Sequence, residues 1–352
     1  MIDHRLLLPL FAAGVFITSC TTTEILEPTL QPTDPYYTSA FPIHNISPEL
    51  VKIQSSVIRI ASTGGFTTYF LDENNLLTVD QLDTLNLEDV SVRTENFEET
   101  TAGTAVVIGK SQNRAVLLTN AHTITFPDTL VTYRRGDDIP RETYVAYVTV
   151  KKRQTNIALV EPSLVFFNIL DSNERADLAL IDFNLRNVDD NNIRPVDISL
   201  GNSKNLQTGT VVYVLGFPKG FPMVTQGIVS DPNRRRDGSF LTDALFNRGV
   251  SGGLIIASKD NFRSFDWVGI ANAGVATQEY FLIPDADFLD TRETVQAYQG
   301  PLRAEQKARM DYGITYAIPT EVIAEFLNRN NSRFRLLNRE DNAGYGNNEF
   351  PH

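Results

Sequence analysis

Between about residue 50 and residue 275 the chain is a succession of short apolar runs, each broken within a few residues by Gly, Pro, Asn or Asp. The runs are Ala105–Ile108, Ala115–Thr119, Tyr144–Val150, Leu178–Phe183, Val211–Leu215, Gly227–Ser230, Leu254–Ala257 and Trp267–Ile270, and every one contains Val or Ile. Such runs are too short for amphipathic helices, and β-branched side chains favour a pleated backbone. Their regular spacing between turn-forming residues predicts an all-β barrel or sandwich rather than βαβ units.

The texture changes after Gln278. Phe288, Val295 and Tyr298 fall on a heptad-like face with charged residues between them, which predicts a helical insertion over 278–310. Gly300-Pro301 interrupts it before Leu302. Tyr312–Pro319 then reads as a strand ended by proline, and Thr320 as the N-cap of a helix over Glu321–Leu327. The residue three after that cap is Ile323, so the reciprocal capping-box bond is not expected. Residues 329–352 form a polar tail.

The net charge of -12 argues against a nucleic-acid partner, whose phosphates are bound chiefly by Lys and Arg. The run Arg234-Arg235-Arg236, flanked by Asp231 and Asp237, reads as a solvated loop. At the other end, Arg5 precedes the apolar stretch Leu6–Ile17, too short to span a membrane and fitting a signal peptide over residues 1–19. Ile17-Thr18-Ser19-Cys20 resembles a bacterial lipobox, which makes Cys20, the single cysteine, the expected lipidation site. Thr21 at the next position resembles lipoproteins sorted to the outer membrane, so the body is expected as a lipid-anchored domain of the bacterial cell envelope, facing periplasm or surface. Residues 20–48, rich in Thr and Pro, read as a flexible spacer. Without a second cysteine the body has no disulfide and must be stable from its core alone.

Of four histidines, His4, His44 and His352 lie outside the apolar-run region. His122 is the only imidazole inside it, ending Leu117-Leu118-Thr119-Asn120-Ala121-His122. A serine held between glycines, Ser251 in Asn247-Arg248-Gly249-Val250-Ser251-Gly252-Gly253, supplies the other half of a nucleophile–base pair. A third group must orient the base, and Asp177 ahead of the apolar Leu178–Ile181 offers a carboxylate, with Asp171 and Asp182 as rivals. One body histidine and one N-terminal cysteine do not make a nitrogen–sulfur metal cage, and no glycine-rich phosphate loop stands out, so no metal or cofactor is expected.

The order His122, Asp177, Ser251 and the pieces around them resemble the trypsin-like serine proteases, over about residues 50–328. Those pieces are Gly103-Thr104-Ala105, Thr119–His122, Asp177–Leu180, Gly249–Gly253 and Trp267–Ile270. Val214-Leu215-Gly216-Phe217-Pro218 leading to Thr225–Ser230, Thr242-Asp243-Ala244 and Tyr316-Ala317-Ile318-Pro319 resemble the bacterial HtrA-like branch. The resemblance implies two packed six-stranded antiparallel β-barrels, the first over about 49–195 and the second over about 196–328, within a protease domain of 49–328. It implies a serine endopeptidase with His122, Asp177 and Ser251 as triad and the N–H groups of Gly249 and Ser251 as oxyanion hole. Leu245, six residues before the serine, would floor the specificity pocket. Ala271, Asn272, Ala273 and Gly274 would pair with the substrate, with cleavage after small or medium aliphatic residues.

Protein or peptide substrates are the implied partners, and a homo-oligomer is an expectation of the resemblance alone. The chain departs from the pattern at Val250, where Asp or Asn is usual, and at Leu254, where proline is usual. Too few residues follow Leu327 for the PDZ domain that HtrA-like enzymes carry. The alternative reading is a non-catalytic binding or scaffold lipoprotein on the same fold.

Overall fold

In a computed structural model of the chain, the residues described are Tyr37, 45–284 and 302–331, except 135–139, 141, 187, 190–191 and 233–237. For 273–280, 284 and 302–312 only the backbone is described. The first barrel is built from β1 (Val57–Leu71), β2 (Ser91–Lys110), β3 (Arg114–Thr119), β4 (Thr129–Tyr133), β5 (Val145–Val160), β6 (Ser163–Asn173) and β7 (Leu178–Asn184). Its strands run in the order β1-β2-β3-β7-β6-β5, and β5 pairs back onto β1 to close the ring. Strand β4 lies outside that ring, on β5.

The second barrel repeats the design with β8 (Ser199–Leu200), β9 (Val211–Gly216), β10 (Met223–Asp231), β11 (Phe240–Thr242), β12 (Leu254–Lys259), β13 (Ser264–Pro284) and β14 (Leu302–Pro319). The closed ring is β12-β9-β10-β11-β14-β13, with β8 added in parallel on β13. The expected pair of six-stranded antiparallel barrels is the architecture of the chain, with a short helix, Ser47–Gln54, before them and a C-terminal helix, Thr320–Arg329, after them.

The apolar runs are nearly continuous because their strands are covered on both faces. On β3, Ala115 and Leu117 point into the first barrel, whereas Val116 and Leu118 join a second cluster. On β9, Val212 and Val214 fill the second barrel, and Val211, Tyr213 and Leu215 join that same cluster. This shared core draws residues from both barrels, together with Ile53 of the first helix and Ile323, Phe326 and Leu327 of the last. The two-residue alternation therefore sorts side chains between two buried sides rather than between core and water.

Three details differ from expectation. Gln278–Pro284 and Leu302–Ala308 are strand, paired with each other as an extension of β13 and β14, and Arg309 and Met310 continue β14 opposite Thr277 and Ala276. Phe288, Val295 and Tyr298, which carried the helical expectation, lie outside the described residues. Extended ribbons are fixed by cross-strand pairing at long sequence range, which a local periodicity does not register. Thr320 is the first helical residue rather than the cap, Pro319 occupies the cap position, and the buried Thr320 hydroxyl has no hydrogen-bond partner among the described residues. Within the stretch read as spacer, Tyr37 is buried in the core of the second barrel and bonds Asp266 at 3.5 Å.

Candidate catalytic site

Strands β3 and β7 are antiparallel neighbours, with Thr119 opposite Ala179. The chain leaves β3 through Asn120 into a single 3-10 turn, Ala121–Thr123, and enters β7 from Asp177. His122 and Asp177 are thereby delivered to the same end of adjacent strands. His122 Nδ1 lies 2.7 Å from Asp177 Oδ2, and the His122 backbone N–H donates to Asp177 Oδ1 at 2.9 Å. Both carboxylate oxygens are thus used on one residue, which fixes ring and carboxylate together. Because a carboxylate accepts, Nδ1 carries a proton, and in the neutral ring Nε2 is then the acceptor.

Asp177 adopts a left-handed backbone, φ 52°, a conformation open to Asp more readily than to most side chains. Asn120 holds that turn by donating from Nδ2 to the Asp177 carbonyl at 2.9 Å. The rival carboxylates are committed elsewhere. Asp182 is buried, 3.1 Å from Arg114, and accepts from Asn168 Nδ2 at 3.2 Å. Asp171 accepts from Asn330 Nδ2 at 2.8 Å. Of the three, Asp177 is the one brought to His122.

Ser251 sits in the turn that leads into β12. Gly249 and Gly252 have φ 101° and 84°, left-handed conformations that glycine reaches without steric strain. Space is equally restrictive, since a Cβ on Gly249 would lie 2.4 Å from the Phe217 carbonyl oxygen and one on Gly252 2.0 Å from that of Thr104. The turn is tied to β13 by Gly252 N–H to the Ala271 carbonyl and Ala271 N–H to the Gly253 carbonyl, both 2.8 Å. It is tied to the first barrel by Thr104 N–H to the Ser251 carbonyl, also 2.8 Å.

The Ser251 hydroxyl donates to the Asn272 carbonyl at 2.9 Å, and it makes no hydrogen bond with His122. Among the described residues, the N–H groups of Gly249 and Ser251 have no acceptor. Lys219 N–H donates to the Arg248 carbonyl at 2.8 Å. Across the planar trans peptide this turns the Gly249 N–H away from Lys219. Val250 packs in the core of the second barrel, a setting in which a carboxylate would be an unpaired buried charge. That accounts for the apolar residue ahead of the serine. Leu254 is likewise fully buried, in β12.

Of the residues expected to meet substrate, Leu245 is 58% exposed between the buried Ala244 and Phe246. Ala271 is buried and pairs with Ala317 of β14, while Ala273 pairs with Tyr316 and Gly274 with Thr315. Asn272 falls at the irregularity between these pairs, which frees its carbonyl for Ser251. Cys20 lies outside the described residues. Among the described residues no three His, Cys, Asp or Glu side chains group to hold a metal ion.

Two open depressions, of about 600 and about 520 Å³, lie on the first barrel and include none of His122, Asp177 or Ser251. Thr104 and Asn120 stand in the sequence as members of Gly103-Thr104-Ala105 and Thr119–His122 without a role of their own, and Lys219 carries no signal there. In the structure Thr104 and Asn120 are fully buried and hydrogen-bonded.

No curated protein matches the chain in sequence. Among solved structures it is similar to the HtrA-type protease AlgW with a tripeptide, at 17% identity and a TM-score of 0.44, over 82% of this chain and 64% of that one. It is similar also to the serine endoprotease from Yersinia pestis, at 17% identity and a TM-score of 0.41, over 82% of this chain and 67% of that one. The chain thus spans about two thirds of the length of these structures. His122, Asp177 and Ser251 all fall within residues 103–263, the stretch that matches the trypsin-like peptidase domain family.

Proposed function

We propose that the chain is a serine endopeptidase. Ser251 Oγ attacks the scissile carbonyl carbon while His122 Nε2 takes its proton. Asp177 holds the imidazole by Nδ1 and stabilises the imidazolium that forms. The tetrahedral oxyanion is received by the N–H groups of Gly249 and Ser251. Collapse expels the amine, which takes the proton from His122, and water then hydrolyses the acyl-enzyme by the same route in reverse. The observation that carries this reading is the doubly anchored His122–Asp177 pair, 2.7 and 2.9 Å, at the ends of β3 and β7, with Thr104 bonded both to Thr119 of β3 and to the serine turn.

One observation favours the second reading, a binding module on this fold: the Ser251 hydroxyl is bonded to Asn272 rather than to His122. A fluorophosphonate separates the two. Covalent labelling of the wild-type chain, lost in Ser251→Ala and His122→Ala, is expected of the peptidase. A folded wild-type protein that stays unlabelled and leaves casein intact would establish the binding module instead.

The proposal extends to location. Lipidation at Cys20 would tether the body to the bacterial envelope and confine its substrates to proteins there. Cys20→Ser should then move the protein to the soluble fraction or leave its precursor unprocessed, and unchanged membrane fractionation would refute the anchor.

A further inference from the structure

Thr104 belongs to the first barrel, yet its N–H and its hydroxyl are spent on the second. This fully buried residue donates its N–H to the Ser251 carbonyl at 2.8 Å and its hydroxyl to the Gly249 carbonyl at 2.7 Å. The same hydroxyl accepts the Phe217 N–H at 3.0 Å. Its own carbonyl accepts the hydroxyl of Thr119, on the strand that ends at the histidine turn, at 2.7 Å. Two glycines of the second barrel make room for it. A Cβ on Gly216 would lie 2.9 Å from the Thr104 hydroxyl, and one on Gly252 2.0 Å from its carbonyl oxygen.

The hydroxyl therefore grips two points that bracket one peptide. Gly249 C=O fixes the backbone after the candidate oxyanion donor. Phe217 N–H fixes the start of the loop whose Lys219 N–H holds the Arg248 carbonyl before it. With both flanks held, the 248–249 peptide has one orientation, and its N–H is left without an acceptor among the described residues. We propose that Thr104 is a positioning residue, reaching across from the first barrel to set the Gly249 N–H as oxyanion donor. The inference rests on the peptidase reading and deepens it. Thr104 touches no reacting atom, so its removal should act on transition-state stabilisation and leave ground-state binding largely intact.

The test uses the full chain and a peptide p-nitroanilide ending in valine. Thr104→Val keeps the shape and removes the hydroxyl, and should lower kcat about ten- to a hundredfold, below the loss from deleting a whole oxyanion donor, with KM within about twofold. Binding of a peptide aldehyde, whose adduct carries the oxyanion, should weaken in parallel. Thr104→Ser restores the hydroxyl and should return kcat to within about threefold of wild type. If Thr104→Val does not fold, Thr104→Ala is measured in its place, with Thr104→Ser as the rescue. A Val or Ala variant with wild-type kcat, a loss confined to KM, or a Ser variant as impaired as Val would overturn the inference. Ser251→Ala, run alongside, separates the two claims: hydrolysis that survives it, or that the wild type lacks, defeats the peptidase reading itself.

Discussion

Asp177 concentrates several demands on one side chain: a left-handed backbone, an acceptor for the His122 ring and another for the His122 N–H. Asparagine tolerates the same backbone but presents one acceptor oxygen and an amide donor. Asp177→Asn should therefore keep the fold and favour the wrong imidazole tautomer, lowering kcat by about 10³- to 10⁴-fold, as in the worked serine-protease triad. Activity within tenfold of wild type would show that the pair does not orient a base. The glycines permit a cleaner comparison. Gly252 and Gly209 both have positive φ, but a Cβ on Gly252 meets Thr104 and Thr119, whereas one on Gly209 meets nothing within 4 Å. Alanine at Gly209 should cost about 1–2 kcal/mol of backbone strain, and alanine at Gly252 distinctly more because two barrels must shift. Equal losses in denaturant titrations would mean that the close approach to Thr104 yields freely. The histidine, aspartate and serine were legible in order, and the family resemblance chose Asp177; residue chemistry alone left Asp171 and Asp182 open as rivals. In the structure Arg114 and Asn330 occupy those two, partners far apart in sequence.

The strands most legible as elements are those with two buried faces. Leu178–Ile181 and Val211–Leu215 carry an apolar residue at every position, so their runs stand out against polar turns. The outer half of β2 left no such mark. Ser91–Glu99 is mostly exposed and polar, yet it pairs residue by residue with β1, from Phe70 opposite Arg93 to Gly64 opposite Glu99. Its conformation comes from backbone bonds to a partner rather than from burial, and the β13–β14 extension is likewise paired residue by residue, from Gln278 opposite Ala308 to Pro284 opposite Leu302. The C-terminal helix was legible because burial shapes it. Ile323, Phe326 and Leu327 recur at helical spacing and seat it on the core shared by the barrels. Phe326→Ala should consequently destabilise the protein by about 3–5 kcal/mol, while Phe166→Ala, at a 74% exposed position on β6, should change stability by less than about 0.5 kcal/mol. Comparable midpoints for the two variants would show that the helix is not part of the cooperative core.

At the scale of the molecule, the candidate site is divided: the base and its acid stand on the first barrel and the serine on the second. What joins them is a core with Val106, Leu118 and Leu180 from one barrel and Leu215, Ile256 and Ile270 from the other, with Thr104 bonded across at the serine turn. A sequence lays out two series of strands, but nothing local in it states that the outward faces of one series pack against those of the other. If each barrel had only its own core, the barrels would unfold as separate units. Opening this shared core would instead expose Leu118 and Leu215 together, so the free energy of one barrel depends on the presence of the other. The single tryptophan, Trp267, is buried in the shared core from the second barrel's side and reports that core. Far-ultraviolet dichroism reports strands of both barrels. In a urea titration the two signals, and loss of hydrolysis with them, should fall on one curve with a common midpoint. A dichroism transition that precedes the Trp267 change, with an intermediate plateau, would mean that the first barrel melts on its own and that the shared core does not couple the halves.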